Sequence, residues 1–376
     1  MGKALPVWDT ATADTARADE TVLARLLRDV SRTFALTIPQ LPLPLRKVVG
    51  NAYLLCRIAD TIEDAAALSA DDNRRLSLAF SEVVAGRADA QAFAARLLPL
   101  LAPGATAAER ELVQETPRVI RELRSFTPAQ QAALARCVAI MADGMAAFQA
   151  TASTDGLPDL PGLDRYCYVV AGCVGEMLTE LFCGYSTEID RHRDTLMPLS
   201  VSFGQALQMT NVLKDVWEDR ARGACWLPRD VFRDCGFDLS QLRADHYDER
   251  FGDGMRTLIA IAHAHLRDAL AYTLLIPPQE RGIRRFCFWA LGMAALTLRK
   301  LNHNLDYHSG SAVKISRRSV KTVIAATELA LSGRWFARRL FDLATAPLPA
   351  PRIVTPTSSA AQPHQPAAEP MSVADR

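Results

Sequence analysis

The sequence contains the stretch Asn211-Val212-Leu213-Lys214-Asp215-Val216-Trp217-Glu218-Asp219. Asp215, Glu218 and Asp219 stand at positions i, i+3 and i+4, a spacing that places three carboxylates on one face of a helix. Apolar residues recur at helical spacing through the preceding segment, 203–213, which contains no proline. We therefore predict a helix with an acidic face, running on to about Gly223.

The same spacing occurs a second time, near the beginning of the chain. Asp60, Glu63 and Asp64 again stand at i, i+3 and i+4 within an apolar, helix-forming segment. Each cluster has a cation just upstream, Arg57 in the first and Lys214 in the second. We expect the two helices to face each other.

Three carboxylates on one helix face repel one another, and such repulsion destabilises a helix unless water or a cation relieves it. Oxygen ligands of this kind suit Mg²⁺, which keeps several waters and is often completed by substrate phosphates. Two facing clusters would then bind a diphosphate through the metal, and Arg57 and Lys214 would help to neutralise it as it leaves. The simpler alternative is a pair of solvated acidic helix faces.

Composition narrows the class of protein. The chain has 376 residues, 49% of them hydrophobic, which is enough for one large core. Its net charge of +1 offers no field that would attract nucleic acid, so we expect no nucleic-acid partner. The eight cysteines form no C-x-x-C pair and sit mostly in apolar surroundings, which indicates reduced thiols packed in a cytoplasmic protein.

No targeting or membrane-spanning segment is predicted. Residues 1–20 are polar and rich in threonine, unlike a signal peptide. The longest nearly apolar run, 286–298, has 13 residues, whereas a bilayer requires roughly 20. We interpret that run as a buried core helix.

The chain as a whole has helical spacing of apolar residues and almost none of the alternation that strands show. We predict an all-α domain of about a dozen helices over residues 19–345. Residues 1–18 are predicted to be a disordered lead-in, with the first helix starting near Asp19. Residues 346–376, rich in proline, alanine and serine, are predicted to be a disordered tail.

Two glycines interrupt the predicted helix 163–185. Gly172 and Gly175 each cost a helix about 1 kcal/mol relative to alanine. Their spacing would allow a neighbouring helix or a ligand to approach closely, and helix packing alone would explain them.

Four motifs together resemble the squalene/phytoene synthases. They are Ser31-Arg32-Thr33-Phe34, Tyr53-x-x-x-Arg57-x-x-Asp60-x-x-Glu63-Asp64, Tyr166-Cys167-x-x-x-Ala171-Gly172-x-Val174-Gly175 and Gln208-x-x-Asn211-x-x-Lys214-Asp215-x-x-Glu218-Asp219. The likeness covers roughly residues 24–325. It implies a single-domain, isoprenoid-synthase-type helical bundle around a central cavity, which condenses two farnesyl diphosphates head to head with Mg²⁺.

The resemblance also implies functions for particular residues. Both acidic clusters, Asp60, Glu63, Asp64, Asp215, Glu218 and Asp219, would hold metal and diphosphate. The substrate would be bound by Ser31, Arg32, Phe34, Tyr53, Arg57, Gln208, Asn211, Lys214 and Phe286. Because the reacting carbocations must be kept from water, the cavity should be apolar, with wall candidates Phe34, Tyr53, Leu54, Val170, Leu207, Phe286, Phe288 and Met293.

Segment 313–318 looks like the basic segment with which squalene synthases bind NADPH. By that likeness, Asn211, Lys314, Arg317 and Arg318 would bind NADPH, and NADPH would reduce the intermediate to squalene. A solvated basic patch is the alternative for this segment. Within the same fold, a presqualene-diphosphate, dehydrosqualene or phytoene synthase without reduction stays open, as does a non-catalytic prenyl-binding scaffold.

Two positions depart from the family's pattern. Lys214 stands where the family often has arginine, and lysine lacks the two-pronged contact that arginine makes with phosphate. Val169 stands where many members carry a tyrosine implicated in proton transfer. Tyr166 and Tyr168 are the candidate catalytic replacements, and the released diphosphate is a further candidate base.

The predicted product is a hydrocarbon that water does not dissolve. We therefore expect the protein, as a monomer, to touch the membrane surface peripherally through the basic and apolar segment 335–341.

Overall fold

Helices make up nearly all regular structure in this computed structural model, which describes residues 10–31, 33–65, 67–101 and 104–353. Those ranges contain no β-strand, which confirms the all-α prediction. The α-helices are α1 (Thr10–Val30), α2 (Phe34–Thr37), α3 (Leu43–Glu63), α4 (Ala70–Val84), α5 (Ala90–Leu97), α6 (Ala107–Gln114), α7 (Thr116–Arg124), α8 (Pro128–Ala150), α9 (Leu160–Cys167), α10 (Cys173–Tyr185), α11 (Thr187–Asp190), α12 (Arg193–Lys214), α13 (Val216–Ala221), α14 (Arg229–Asp234), α15 (Glu249–Leu275), α16 (Arg281–His303), α17 (Gly310–Val313), α18 (Arg317–Leu331) and α19 (Arg334–Thr345). Short 3₁₀ segments lie at Ile38–Gln40, Leu98–Leu100 and Leu239–Gln241, and a π-helical turn, Tyr168–Gly172, joins α9 to α10.

Several helices begin where local sequence signals place them. α8 starts at Pro128, as predicted, and Thr127 and Gln130 exchange the paired hydrogen bonds of a capping box. Thr106 and Glu109 form the same arrangement at the start of α6. These helix starts depend on neighbours in sequence, which is why sequence reasoning finds them.

The bundle is built around α12. This helix packs against α10, α15, α16 and the π-helical turn, while α3 packs against α8 across from it. α18 and α19 form a pair that covers the outer side of α16. The helices α3, α8, α10, α12, α15 and α16 thus enclose a central cavity.

Glycine allows α12 to touch α10 and the π-helical turn before it backbone to backbone. A Cβ added to Gly175 would overlap the carbonyl of Ser200, and one added to Gly204 would overlap the carbonyl of Ala171. The predicted close approach at Gly175 is therefore confirmed as helix packing. Gly204, the glycine of α12, was not among the residues predicted to allow a close approach.

The first helix starts earlier than predicted. α1 begins at Thr10, so the predicted start near Asp19 is wrong, and only residues 1–9 of the predicted lead-in lie outside the described ranges. The segment before Asp19 alternates threonine with alanine, and alanine has the highest helix propensity, which extends the helix from its buried end.

The predicted C-terminal boundary also needs correction. Leu348 is buried, the Nδ1 of His263 donates a hydrogen bond to the carbonyl of Pro349 at 2.9 Å, and the amide of Arg352 donates to Ala260 at 3.0 Å. Residues 346–353 are thus held on α15. The remainder of the predicted tail, 354–376, lies outside the described residues.

By length and composition, two helical stretches of the described chain, Pro128–Ala150 and Leu160–Tyr185, are apolar enough to cross a membrane. In each, 44% of the most apolar window is buried inside the protein, and core helices of soluble proteins pass the same test. The run 286–298 lies in α16 and is mostly buried, which confirms it as a core helix. All eight cysteines are free thiols and six are buried, as predicted.

Candidate active site

The first acidic cluster lies at the C-terminal end of α3. Asp60 and Glu63 belong to its last turn, and Asp64 caps the helix with its amide donating to the Asp60 carbonyl at 2.8 Å. Arg57, one turn earlier, pairs with Asp60 at 3.8 Å and makes a shorter ion pair with Glu109 of α6. A cation therefore sits beside the cluster, as the spacing predicted.

The second cluster interrupts its helix. α12 ends at Lys214, Asp215 leaves the helical conformation, and α13 starts at the next residue, so the predicted unbroken helix is wrong. Helical backbone hydrogen bonding resumes immediately, since the amide of Asp219 donates to the carbonyl of Asp215 at 2.9 Å. Like charges one turn apart disfavour a continuous helix, and Lys214 forms an ion pair with Asp215 at the break.

The two clusters face each other. The guanidinium of Arg222 contacts Asp64 of the first cluster at 3.2 Å and Asp219 of the second at 2.6 Å. One side chain can bridge them only if their carboxylates lie on opposite walls of one cleft.

Burial makes these carboxylates hard to ionise. It raises the pKa of Asp60 to about 7, that of Glu63 to about 8 and that of Asp219 to about 6. Neighbouring carboxylates add to the rise, and the nearby arginines oppose it without cancelling it. The arginines of the cleft therefore do not offset the burial and mutual repulsion of its carboxylates.

An apolar cavity of ≈ 270 Å³ opens beside the first cluster. Asp60, Gln208 and Asn211 are the polar residues at its acidic end. Five predicted wall residues line it: Phe34, Tyr53, Val170, Leu207 and Phe286.

Three predicted wall residues do not line this cavity. Leu54 is buried in the core, Phe288 faces a separate groove between α16 and α18, and Met293 lies on the same helix beyond the cavity. Phe288 follows Phe286 by two positions, about 200° around the helix, so both cannot face the same space.

Aromatic rings close the other end of the cavity. Phe203 stands eight positions before Asn211, about 12 Å along α12, and packs edge to face against Tyr272. Phe182 packs in the same way against Phe286. Such walls exclude water and offer ring faces to a cation.

A second, polar cavity of ≈ 210 Å³ lies between the clusters. Its lining includes Glu63, Asp64, Asp219 and Arg222. Tyr166 and Trp226 form its aromatic side, with ring centroids 4.2 Å apart and nearly parallel planes. The charged groups thus share a compartment next to the apolar cavity.

The two candidate catalytic tyrosines are placed differently. Tyr166 lies in the polar cavity, where burial raises its pKa well above the usual value and the acidic clusters add to the rise. Tyr168 donates a hydrogen bond to Glu176 at 3.1 Å and lines neither cavity. The side chain of Val169 packs against Gly144 of α8. Of the two candidate tyrosines, Tyr166 is the one that lies beside the acidic clusters.

The N-terminal motif folds over the apolar cavity. The hydroxyl of Ser31 accepts a hydrogen bond from the amide of Phe34 at 2.9 Å. The ring of Phe34 lies 5.0 Å from that of Tyr53, and both face the cavity. Arg32 lies outside the described residues.

The basic segment lies next to the second cluster. The amide of Gly310 donates to Glu218 at 2.8 Å, and a Cβ at position 310 would press on Asp215. Lys314, Arg317 and Arg318 are exposed, and in the described part of the chain none pairs with a carboxylate. Arg317 opens α18, which presents its N-terminal amides there.

Sequence reasoning missed three residues of this region. Glu109 signalled only a helix start through its capping box, yet its carboxylate holds Arg57. Arg222 stands three positions after Asp219, which is the only sequence signal of its ion pair. Gly310 carried no signal of its contact with Glu218.

The residues fit Mg²⁺ and a diphosphate. The donors are hard carboxylate oxygens, and the buried Nε of Arg57 has no hydrogen-bond partner among the residues that the structure describes. Within the described ranges, no three histidine, cysteine or acidic side chains are close enough together to hold an ion by themselves. An ion would therefore take its remaining ligands from water and from the diphosphate.

The chain is similar to known proteins of one family. The profile of the squalene/phytoene synthase family matches residues 27–319. Squalene synthase of Schizosaccharomyces pombe is 28% identical over 306 residues, covering 79% of this chain and 64% of that protein. Squalene synthase BSS of Botryococcus braunii is 30% identical over 306 residues, covering 78% and 61%. The match thus spans less than two thirds of either relative's length.

Among solved structures, the complex of TcSQS with the ligand BPH1237 superimposes with a TM-score of 0.70. The two sequences are 23% identical, and the superposition covers 88% of this chain and 92% of the other. This likeness shows a shared fold, the predicted helical bundle around a central cavity.

Proposed function

The chain belongs to the squalene/phytoene synthase family, and on that premise we propose that it condenses two farnesyl diphosphates into presqualene diphosphate and reduces this with NADPH to squalene. One observation supports this most directly. Two acidic clusters face each other at one end of an apolar cavity, and α17, which leads into the basic segment, contacts the second cluster through Gly310.

The acidic clusters would hold Mg²⁺, which supplies the positive charge that stabilises the departing diphosphate. Arg57 is held against the first cluster by Glu109, and Lys214 pairs with Asp215 in the second, so both cations lie where a diphosphate would sit. The apolar cavity would take the prenyl chains and exclude water from the carbocation formed when the diphosphate leaves. The double bond of the second substrate then attacks that cation.

The reductive step would depend on the basic segment. NADPH carries phosphates, and Lys314, Arg317 and Arg318 offer three cations, unpaired with any carboxylate of the described residues, beside the N-terminal amides of α18. Asn211 lines the cavity at its acidic end. A hydride from NADPH would there quench the final carbocation.

One feature supports a second candidate, condensation without reduction. Val169 packs against α8 and Tyr168 is engaged with Glu176, so neither lines the described cavity. Tyr166, in the polar cavity, is the tyrosine that we propose for proton transfer. If no hydride reaches the final cation, that cation loses a proton to a base and leaves an unreduced hydrocarbon; if presqualene diphosphate does not lose its diphosphate, the reaction ends there.

Product analysis separates these functions. We expect purified protein with farnesyl diphosphate and Mg²⁺ to give squalene only when NADPH is added, as read by gas chromatography after phosphatase treatment. Presqualene alcohol with and without NADPH would show that the reaction stops at its first half. A Mg²⁺-dependent rise in melting temperature with an unreactive substrate analogue, but no product, would indicate a prenyl-binding scaffold.

We further infer peripheral contact with a membrane through α19. Trp335, Phe336 and Leu343 point away from the protein and are 63%, 39% and 69% exposed. Arg339 lies on the same side, its guanidinium 5.6 Å from the Trp335 ring. Phe341, within the predicted segment 335–341, is instead buried. An outward face of aromatic rings, leucine and arginine suits an anionic lipid surface.

Co-sedimentation with vesicles that contain an anionic phospholipid tests this contact. We expect binding at low salt, reduced by about tenfold in the triple variant Trp335→Ser, Phe336→Ser, Leu343→Ser, because apolar area inserted into the interface drives binding. Leu100→Ser, at a leucine exposed elsewhere on the surface, should bind like wild type. Absence of wild-type co-sedimentation would refute the idea.

A further inference from the structure

We propose that Arg222 is an internal counter-ion, which joins the two acidic clusters before the metal arrives and passes to the substrate's diphosphate when Mg²⁺ takes over the carboxylates. The inference rests on the proposed function, since it assumes that the clusters bind Mg²⁺ and diphosphate. It assigns Arg222 as a positioning and substrate-binding residue outside both acidic motifs.

The contacts of Arg222 define a bridge. Its Nη1 lies 3.2 Å from Oδ1 of Asp64, and its Nη2 lies 2.6 Å from Oδ1 of Asp219. One carboxylate belongs to α3 and the other to α13, so this single side chain ties the two walls of the cleft together. Arg222 thus takes a position between the carboxylates that a metal would otherwise neutralise.

The backbone holds Arg222 firmly in this position. It is the C-cap of α13, with its amide donating to the Asp219 carbonyl at 3.0 Å. Gly223 follows with φ of 89°, a left-handed conformation that ends the helix and turns the chain away. A cation at a helix C-terminus also interacts favourably with the helix dipole.

The carboxylates that Arg222 holds are ones a metal would need. Asp219 is 6% exposed, so its charge depends on the few neighbours available to it. A carboxylate oxygen that accepts from a guanidinium has less electron density to offer a cation, and two cations crowded in one cleft repel each other. Arg222 and Mg²⁺ therefore compete for Asp64 and Asp219.

Once displaced, Arg222 stays in a compartment suited to phosphate. It lines the polar cavity together with Glu63, and its side chain is about half exposed there, so it is free to turn. A guanidinium presents a planar fork of N–H donors that matches two phosphate oxygens. The exchange would bring Arg222 onto the diphosphate that the metal has attracted.

This competition predicts opposite effects of one substitution on two ligands. Calorimetric titration of the full-length protein with Mg²⁺ alone should show Arg222→Gln binding the ion about three- to tenfold more tightly than wild type, because the competing cation is gone. Titration with pyrophosphate at saturating Mg²⁺ should show the same variant binding about tenfold more weakly, because a charged hydrogen-bonding partner is lost. Arg222→Lys keeps the charge but lacks the planar fork of N–H donors, so its affinity for each ligand should fall between those of wild type and Arg222→Gln.

A neighbouring arginine provides the control. Arg220 lies on the same helix but donates to the backbone carbonyls of Thr154 and Leu242 rather than to either cluster, so Arg220→Gln should change neither affinity. Equal or weaker Mg²⁺ binding by Arg222→Gln would overturn the competition, and unchanged pyrophosphate binding would overturn the transfer. If wild type itself fails to bind Mg²⁺, the proposed function fails with it, and that outcome is recognised without any variant.

Discussion

Asp60→Asn is expected to lower turnover by at least about 10³-fold while leaving the helical fold intact. Asp60 is the carboxylate that borders the apolar cavity, so it lies nearest to where a departing diphosphate meets the prenyl chain. An amide keeps the shape of the side chain but loses the negative charge that a metal needs. Asp215→Asn should have a similar effect from the opposite wall. Turnover of farnesyl diphosphate and far-ultraviolet circular dichroism measure the two quantities.

Asp60→Asn lowers turnover but should not lower the stability of the metal-free protein. Burial raises the pKa of Asp60 from 3.8 to about 7, so in metal-free wild type the side chain favours folding while protonated, and this contribution is lost as pH rises from 3.8 to about 7 and is absent above that. The neutral amide loses nothing over that range. In EDTA at pH 8, we expect the melting temperature of Asp60→Asn to equal or exceed that of wild type, with any advantage shrinking at pH 5.

Asp71→Asn is a matched control, since Asp71 is an exposed carboxylate in the first turn of α4, away from the cleft. It should keep wild-type turnover. Unfolding of Asp60→Asn would show that Asp60 supports the structure. Retained turnover with an undiminished response to Mg²⁺ would show that Asp60 is not a metal ligand.

Gly204→Ala is expected to destabilise the protein by about 3 kcal/mol. The added methyl group would overlap the carbonyl of Ala171, and a backbone carbonyl between two packed helices has no room to move aside. α12 would have to separate from the π-helical turn that leads into α10, which disturbs the cavity that both line. Urea unfolding followed by circular dichroism measures the loss of free energy of unfolding.

Gly184→Ala tests whether the effect comes from packing. Gly184 lies near the end of α10, and nothing stands within 4 Å of where its Cβ would be. There, alanine should be neutral or stabilising by up to about 1 kcal/mol, since it favours the helix more than glycine does. Equal losses in the two variants would contradict the close contact between α12 and the π-helical turn.

Part of the candidate site could be predicted from the sequence, and part could not. The spacing of Asp60, Glu63 and Asp64 predicted an acidic cluster with Arg57 beside it, and the structure has it. The ion pair between Arg57 and Glu109 could not be predicted, because Glu109 stands 52 positions away and its capping-box motif indicates only a helix start. Spacing also could not show that Asp215 interrupts its helix, because the local pattern is the same with or without the break.

The sequence by itself determined the helical class, many helix starts and the two acidic faces, because these depend on residues within one or two turns of each other. Only the tertiary structure decided which side chains share a compartment. It placed Phe286 in the cavity and Phe288 outside it, took Tyr168 away to Glu176, and joined Asp64 to Asp219 through Arg222. These contacts follow from how the helices rotate and pack against one another, where the fit of many distant side chains, and glycines such as Gly204, outweighs any local preference.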